Sequence, residues 1–153
     1  MNTSQTWPDN DPMTQIYFYS GSNDKLQTAC RLCAKAVQQN MTVLIYASDT
    51  ALLEQLDQLL WSFSPTSFIP HCDIRADSEL VSATPVILSN RIPPGRQFDV
   101  LLNLHPQQPT DFDQFNRLIE IADNSPEGKQ AARARYRFYK DANHPIQHFN
   151  LDN

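Results

Sequence analysis

Long apolar runs are missing from this 153-residue chain; the longest are only a few residues, too short to cross a bilayer. Cysteine is scarce at three residues, an odd number that suggests no disulfide framework and fits a reducing cytoplasm. The opening MNTSQTWPDNDP lacks the basic and apolar regions of a signal peptide and reads as a polar extension. Positive charge is in deficit: twelve Lys and Arg stand against seventeen Asp and Glu. Such a molecule has no general grip on a phosphate backbone. Phosphate-cradling signatures are missing too. The turn YSGSND (19–24) holds one glycine, with no G-x-G-x-x-G and no G-K-[ST], so few backbone N–H groups can approach an anion there. The apolar run FDVLLNL (98–104) ends in Asn103 where a Walker-type strand presents Asp or Glu for magnesium. No cofactor is expected.

What is present makes one ordinary domain with 41% apolar residues and a proper core. QIYFYSG (15–21), TVLIYAS (42–48), PVILS (85–89) and FDVLLNL read as strands. Between them, Leu26, Ala29, Cys30, Cys33 and Val37 recur at helical spacing, as do Leu52, Leu53, Leu56, Leu59 and Leu60. Residues 64–79 read as a loop. TDFDQFNRLIEIAD (110–123) predicts a helix turning Phe112, Phe115, Leu118 and Ile119 inward. Asn124-Ser125-Pro126 ends it, and Pro126 suits the first turn of a last helix. Continuous apolar strands alternating with helices predict a three-layer α/β/α, Rossmann-like domain with a mostly parallel sheet and no phosphate-binding loop. The expected layout is an N-terminal extension at 1–13, the α/β domain at 14–142 and a C-terminal tail at 143–153.

Catalytic and metal signatures are weak. Cys30 and Cys33 form a C-x-x-C, but two turns into a helix and on its apolar stripe, which reads as core packing rather than redox chemistry. Zinc would need two more ligands, and only His71 and Cys72 lie together as candidates. His144 and His148 have ligand-like spacing with Pro145 between them and read as tail residues. Neither a catalytic nor a metal site is expected.

Two features remain. LLWSFSPTSFIPH (59–71) carries Trp61, Phe63, Phe68, Ile69 and Pro70 through a Ser/Pro loop stiffened by Pro65 and Pro70. They either plug the sheet edge or form an exposed interface patch. KQAARARYRFYK (129–140) holds five of the twelve basic residues and no acid, leaving the other 141 residues with seven basic and seventeen acidic groups. On a helix Lys129, Arg133, Tyr136, Arg137 and Lys140 share one face, while Arg135 and Phe138 point elsewhere. A solvated face would intersperse acids. Arginines beside a tyrosine suit a ligand that joins carboxylates to an aromatic ring, so an acidic peptide fits better than single-stranded nucleic acid.

Together these features resemble the chi-subunit family of bacterial DNA polymerase III holoenzyme. The matching pieces are QIYFYS with C-x-L-C-x-K, LLWSFSPTSFIPH, the loop into TPVILS, DVLLNL, and K-Q-A-A-R-x-R-Y-R-x-Y-K, in the family's order over about 14–142. The resemblance implies a non-catalytic accessory of the clamp-loader assembly, with nucleotidyltransferase activity in another subunit. It implies two partners: the psi subunit, and the acidic, Phe-terminated C-terminal tail of single-stranded-DNA-binding protein. Psi is assigned to Trp61, Phe68 and Pro70, a surface where a repair helicase competes in some members. The tail is assigned to Lys129, Arg133, Tyr136, Arg137 and Lys140. No direct DNA contact and no membrane are implied, and the setting is the cytoplasmic replisome. The alternatives are a degenerate nucleotide-binding enzyme and a direct binder of single-stranded nucleic acid.

Overall fold

The computed structural model describes residues 13–63, 69–93 and 98–151. Among these residues seven strands form one sheet: β1 (Gln15–Ser22), β2 (Val43–Tyr46), β3 (His71–Asp73), β4 (Val86–Ser89), β5 (Val100–Asn103), β6 (Arg117–Asp123) and β7 (Ile146–Asn150). Their spatial order is β3-β4-β2-β5-β6-β1-β7, and every described pairing is parallel. Helices α1 (Lys25–Gln38) and α2 (Thr50–Ser62) carry the chain from β1 toward the β3 edge. The short α3 (Ser78–Ala83), a 3-10 turn at Phe112–Gln114 and α4 (Pro126–Asp141) accompany its return. Right-handed crossovers put the outward helices on one face and the returning elements on the other. The sheet is thus sandwiched, as the continuous apolar strands predict.

Strand residues alternate between two cores. Tyr17, Ile45, Leu88, Leu102 and Ile119 pack with Cys30, Cys33, Leu56 and Leu60 under α1 and α2. Ile16, Phe18, Leu44, Leu101 and Leu118 pack with Phe112, Phe115, Ala132 and Tyr139 on the opposite face. Cys30 and Cys33 are core residues, and burial pushes the Cys30 thiol up to about 12 and raises that of Cys33 too, so neither is a ready nucleophile.

Three sequence expectations are corrected. The helix predicted over 110–123 is not formed. Phe112–Gln114 makes a single 3-10 turn, and Arg117–Asp123 is an interior strand between β5 and β1. Helical spacing and a buried strand look alike over so short a run; ladder pairing on both edges, with β-branched Ile119 and Ile121, decides for the strand. The expected loop at 64–79 contributes β3 and the start of α3. The expected tail contributes β7, which extends the sheet beyond β1. The turn into it is a helix C-cap in which Asn143 takes φ 65°. There the Asn143 N–H donates to the Lys140 carbonyl (3.0 Å) and the His144 N–H to that of Tyr139 (3.1 Å).

Candidate functional site

Helix α4 starts where β6 ends. Ser125 caps it, its Oγ accepting from the Gly128 N–H at 2.9 Å, and Pro126 follows in the first turn. Asp123 Oδ1 in turn accepts from Ser125 Oγ at 2.7 Å. The helix runs so close to Asp123 that a Cβ at position 128 would lie 2.0 Å from that same oxygen, so any larger residue would have to displace the Asp123 side chain and the cap it supports.

Ala132, Arg135 and Tyr139, at helical spacing, form the buried stripe of α4. Under them is Glu120, fully buried in β6. Arg135 Nε donates to its Oε1 at 2.8 Å, and Tyr139 Oη and Asn103 Nδ2 donate to Oε2 at 2.5 and 2.9 Å. A second Arg135 nitrogen reaches the Pro106 carbonyl at 2.8 Å. Burial raises the Glu120 carboxyl above its ordinary value, while the Arg135 charge and the converging donors oppose that rise. Burial and the Glu120 charge also hold the Tyr139 hydroxyl far above the usual phenol range. Asn103 therefore belongs to a buried network rather than to a nucleotide site. This network escaped the sequence reading. Its one signal was Glu120, a lone acid inside the run LIEIA, which only makes sense with a buried cation opposite.

The other side of α4 faces a cavity of about 430 Å³ at the C-terminal ends of β1 and β6. The chain leaves β1 for one face of the sheet and β6 for the other, so this is a topological switch point, the usual ligand crevice of parallel α/β sheets. Lys129, Arg133 and Tyr136 line it from α4, Phe18 and Ser20 from β1, and His148 and Asn150 from β7. The Tyr136 ring is held edge-on against Phe18, centroids 5.4 Å apart, with His148 at 6.5 Å. Arg133 and Lys129 are exposed, their cationic heads free to meet an anion from solvent. Arg137 and Lys140 are also exposed, but the cavity is lined without them. His148 and Asn150 are lining residues that the sequence reading missed, because it placed them in a tail.

At the opposite side of the sheet, a cavity of about 630 Å³ lies between α2 and the ends of β3 and β4, with Glu54, Asp57 and Asp73 in its wall. Its Arg75 is spent on Asp73, 2.8 Å away. Burial alone would push the Asp73 carboxyl up, but Arg75 holds it below its ordinary value. Carboxylates dominate this wall, which makes it a poor home for an anion. Close by, Trp61 is 59% exposed and meets the His71 ring edge-on at 5.1 Å. His71 itself is buried, its Nε2 lying 3.2 Å from Asp57. Pro70 is half-buried. Phe68 and Pro65 lie outside the described residues.

The turn between β1 and α1 does little for phosphate. Gly21, at the irregular end of β1, has φ 77°, and the N-terminus of α1 just beyond is capped by the Asp24 carboxylate, which accepts from the Gln27 N–H at 3.1 Å. A carboxylate thus occupies the place where a dinucleotide fold seats its pyrophosphate. Among the described residues no cluster of three or more His, Cys, Asp or Glu could hold a metal ion, and no helix is long and apolar enough to cross a membrane.

A family model for the DNA polymerase III chi subunit, HolC, matches residues 13–147. The chain belongs to the DNA polymerase III chi subunit family. It is similar to DNA polymerase III subunit chi of Pseudomonas aeruginosa, 38% identical over 143 residues, covering 91% of this chain and 98% of that one. The subunit chi of Escherichia coli is 25% identical over 126 residues, 82% of each chain. Among solved structures, the C-terminal domain of the DEAD-box protein Dbp5 superposes with a TM-score of 0.59 at 13% identity, covering 94% of this chain and 93% of that one. That likeness shows the fold alone. The chi-family match runs through α4 to the start of β7, so it takes in the buried network and the α4 wall of the cavity, while His148 and Asn150 lie beyond it.

Proposed function

We propose that this chi-family chain is a non-catalytic accessory subunit of the DNA polymerase III holoenzyme in replication. It links the clamp loader, through psi, to the acidic, Phe-terminated tail of single-stranded-DNA-binding protein. The supporting observation is the convergence of Lys129, Arg133 and Tyr136 on one cavity, with an aromatic wall formed by Tyr136 against Phe18. Arg133 takes the terminal carboxylate, the aromatic wall takes the terminal phenyl ring, and Lys129 draws in the upstream aspartates. Arg137 and Lys140, outside the cavity, act on those aspartates at longer range. The test is fluorescence anisotropy with a labelled acidic tail peptide. Deleting its last phenylalanine should weaken binding about thirtyfold, the scale of losing one buried aromatic anchor. Unchanged affinity after the deletion would reduce the site to a generic anion binder.

Psi is assigned to the surface bearing Trp61, Phe68 and Pro70, which a repair helicase would contest. The 59% exposure of Trp61 supports it, since a solvent-facing indole has much apolar surface left to bury on a partner. Trp61→Ala should leave the unfolding midpoint nearly unchanged and weaken psi binding by over ~2 kcal/mol. Phe68→Ala should weaken psi binding more than about thirtyfold in a domain that remains folded.

A further inference from the structure

His148 is an exposed residue of the edge strand β7, whose pairing with β1 sets His148 beside Phe18 and Asn150 beside Ser20. That register brings the imidazole to the cavity wall across from α4, with Nε2 2.7 Å from Ser20 Oγ. An imidazole bonded to a hydroxyl at the edge of a cationic cavity is a donor that depends on its proton. In the neutral Nδ1–H tautomer, Nε2 accepts the Ser20 hydrogen and both groups are turned toward each other. When the ring is protonated, Nε2–H donates to Ser20 instead. The serine hydrogen is then released toward the cavity, and a positive charge stands at the rim.

Resting on the tail-binding reading above, we infer that His148 is an anion contact of this cavity and makes partner binding depend on pH. The charged and titratable groups facing the ring are known from each neighbouring element. Helix α4 presents Lys129, Arg133 and Tyr136; the exit of β6 presents Asp123; β1 presents Ser20, and β7 itself the neutral Asn150. Lys129 and Arg133 bring positive charge to this cavity, and Asp123 offsets part of it. A bound carboxylate reverses that balance, so the complex holds the proton more tightly than the free chain. Affinity therefore rises as pH falls through the bound-state titration, and levels off below that of the free ring. Aspartates and a terminal carboxylate of the ligand stay ionised throughout this window.

The experiment measures anisotropy of the labelled acidic, Phe-terminated peptide on the full chain, at constant ionic strength, from about pH 8 to about pH 5.5. Affinity should increase about threefold to fivefold across that range, the scale of one partly exposed ion pair. His148→Gln, which can still bond Ser20, should flatten the curve. His144→Gln, altering the half-buried imidazole packed on Phe112 at 5.1 Å, should preserve it. On the unsubstituted protein, the NMR titration midpoint of the His148 ring should move up when peptide is added. Peptide binding with the same pH slope in the unsubstituted chain and His148→Gln, or an unmoved midpoint, would overturn the inference while leaving the tail-binding reading intact. Failure of the peptide to bind at any pH would overturn both.

Discussion

Arg133 and Arg135 stand two residues apart on α4, and the helix turns them to opposite sides. Arg133 is exposed at the mouth of the basic cavity. Arg135 is 3% exposed and holds Glu120 in a network with Tyr139 and Asn103. The same side chain thus faces solvent at a cavity on one side of the helix and secures the fold on the other. The difference teaches that local charge density is a poor guide to binding. One of the five basic residues in KQAARARYRFYK is neutralised from beneath by an acid fifteen positions earlier in the chain. Its burial is tolerable only because every oxygen of that acid meets a donor.

The largest expected effect breaks the inner face. Arg135→Ala leaves a fully buried carboxylate without its cation and should cost about 3–5 kcal/mol of stability in denaturant unfolding. Arg133→Ala in the same assay should stay within about 0.5 kcal/mol. Equal losses for the two arginines would erase the distinction between the faces. In binding the order reverses. Arg133→Ala should cost on the order of 2 kcal/mol against the acidic tail peptide, mainly through faster dissociation seen by stopped-flow.

Gly128 sharpens the comparison at the point where the two faces begin. Glycine to alanine inside a helix ordinarily stabilises by up to about 1 kcal/mol. Here the new methyl would meet Asp123 Oδ1 at 2.0 Å and the capping Ser125 Oγ at 2.8 Å. Gly128→Ala should therefore destabilise by roughly 1 kcal/mol or more, the sign opposite to propensity, as judged by thermal or denaturant midpoints. The smallest effect belongs to Lys140, exposed and away from the cavity lining. Lys140→Ala should weaken peptide binding by under ~1 kcal/mol at low salt. The difference should vanish when the anisotropy titration is repeated at high ionic strength.

Much of this was legible in the residues themselves. The runs QIYFYS, VLIY, VILS and VLLN announce strands buried on both sides, and a chain of such strands linked by amphipathic helices leads to a parallel, helix-covered sheet. The spacing of Lys129, Arg133 and Tyr136 also puts them on one side of a helix whatever that helix packs against, because 3.6 residues per turn is a local property. The absence of phosphate-cradling glycines is likewise readable without a fold.

What only the tertiary structure decided concerns partners distant in sequence. Periodicity alone predicted a helix over 110–123, and the pairing of β6 with both β5 and β1 made its second half a strand instead. That choice put Glu120 inside and so required Arg135 to turn inward. The last residues read as a tail until β7 found β1 as its neighbour, which carried His148 to the cavity from twelve positions beyond Tyr136. A strand is stabilised by hydrogen bonds to other segments rather than to itself, so its existence and its neighbours are settled only when the sheet assembles. The helix faces were written in the chain, whereas the pairing across the sheet gave each face something to hold.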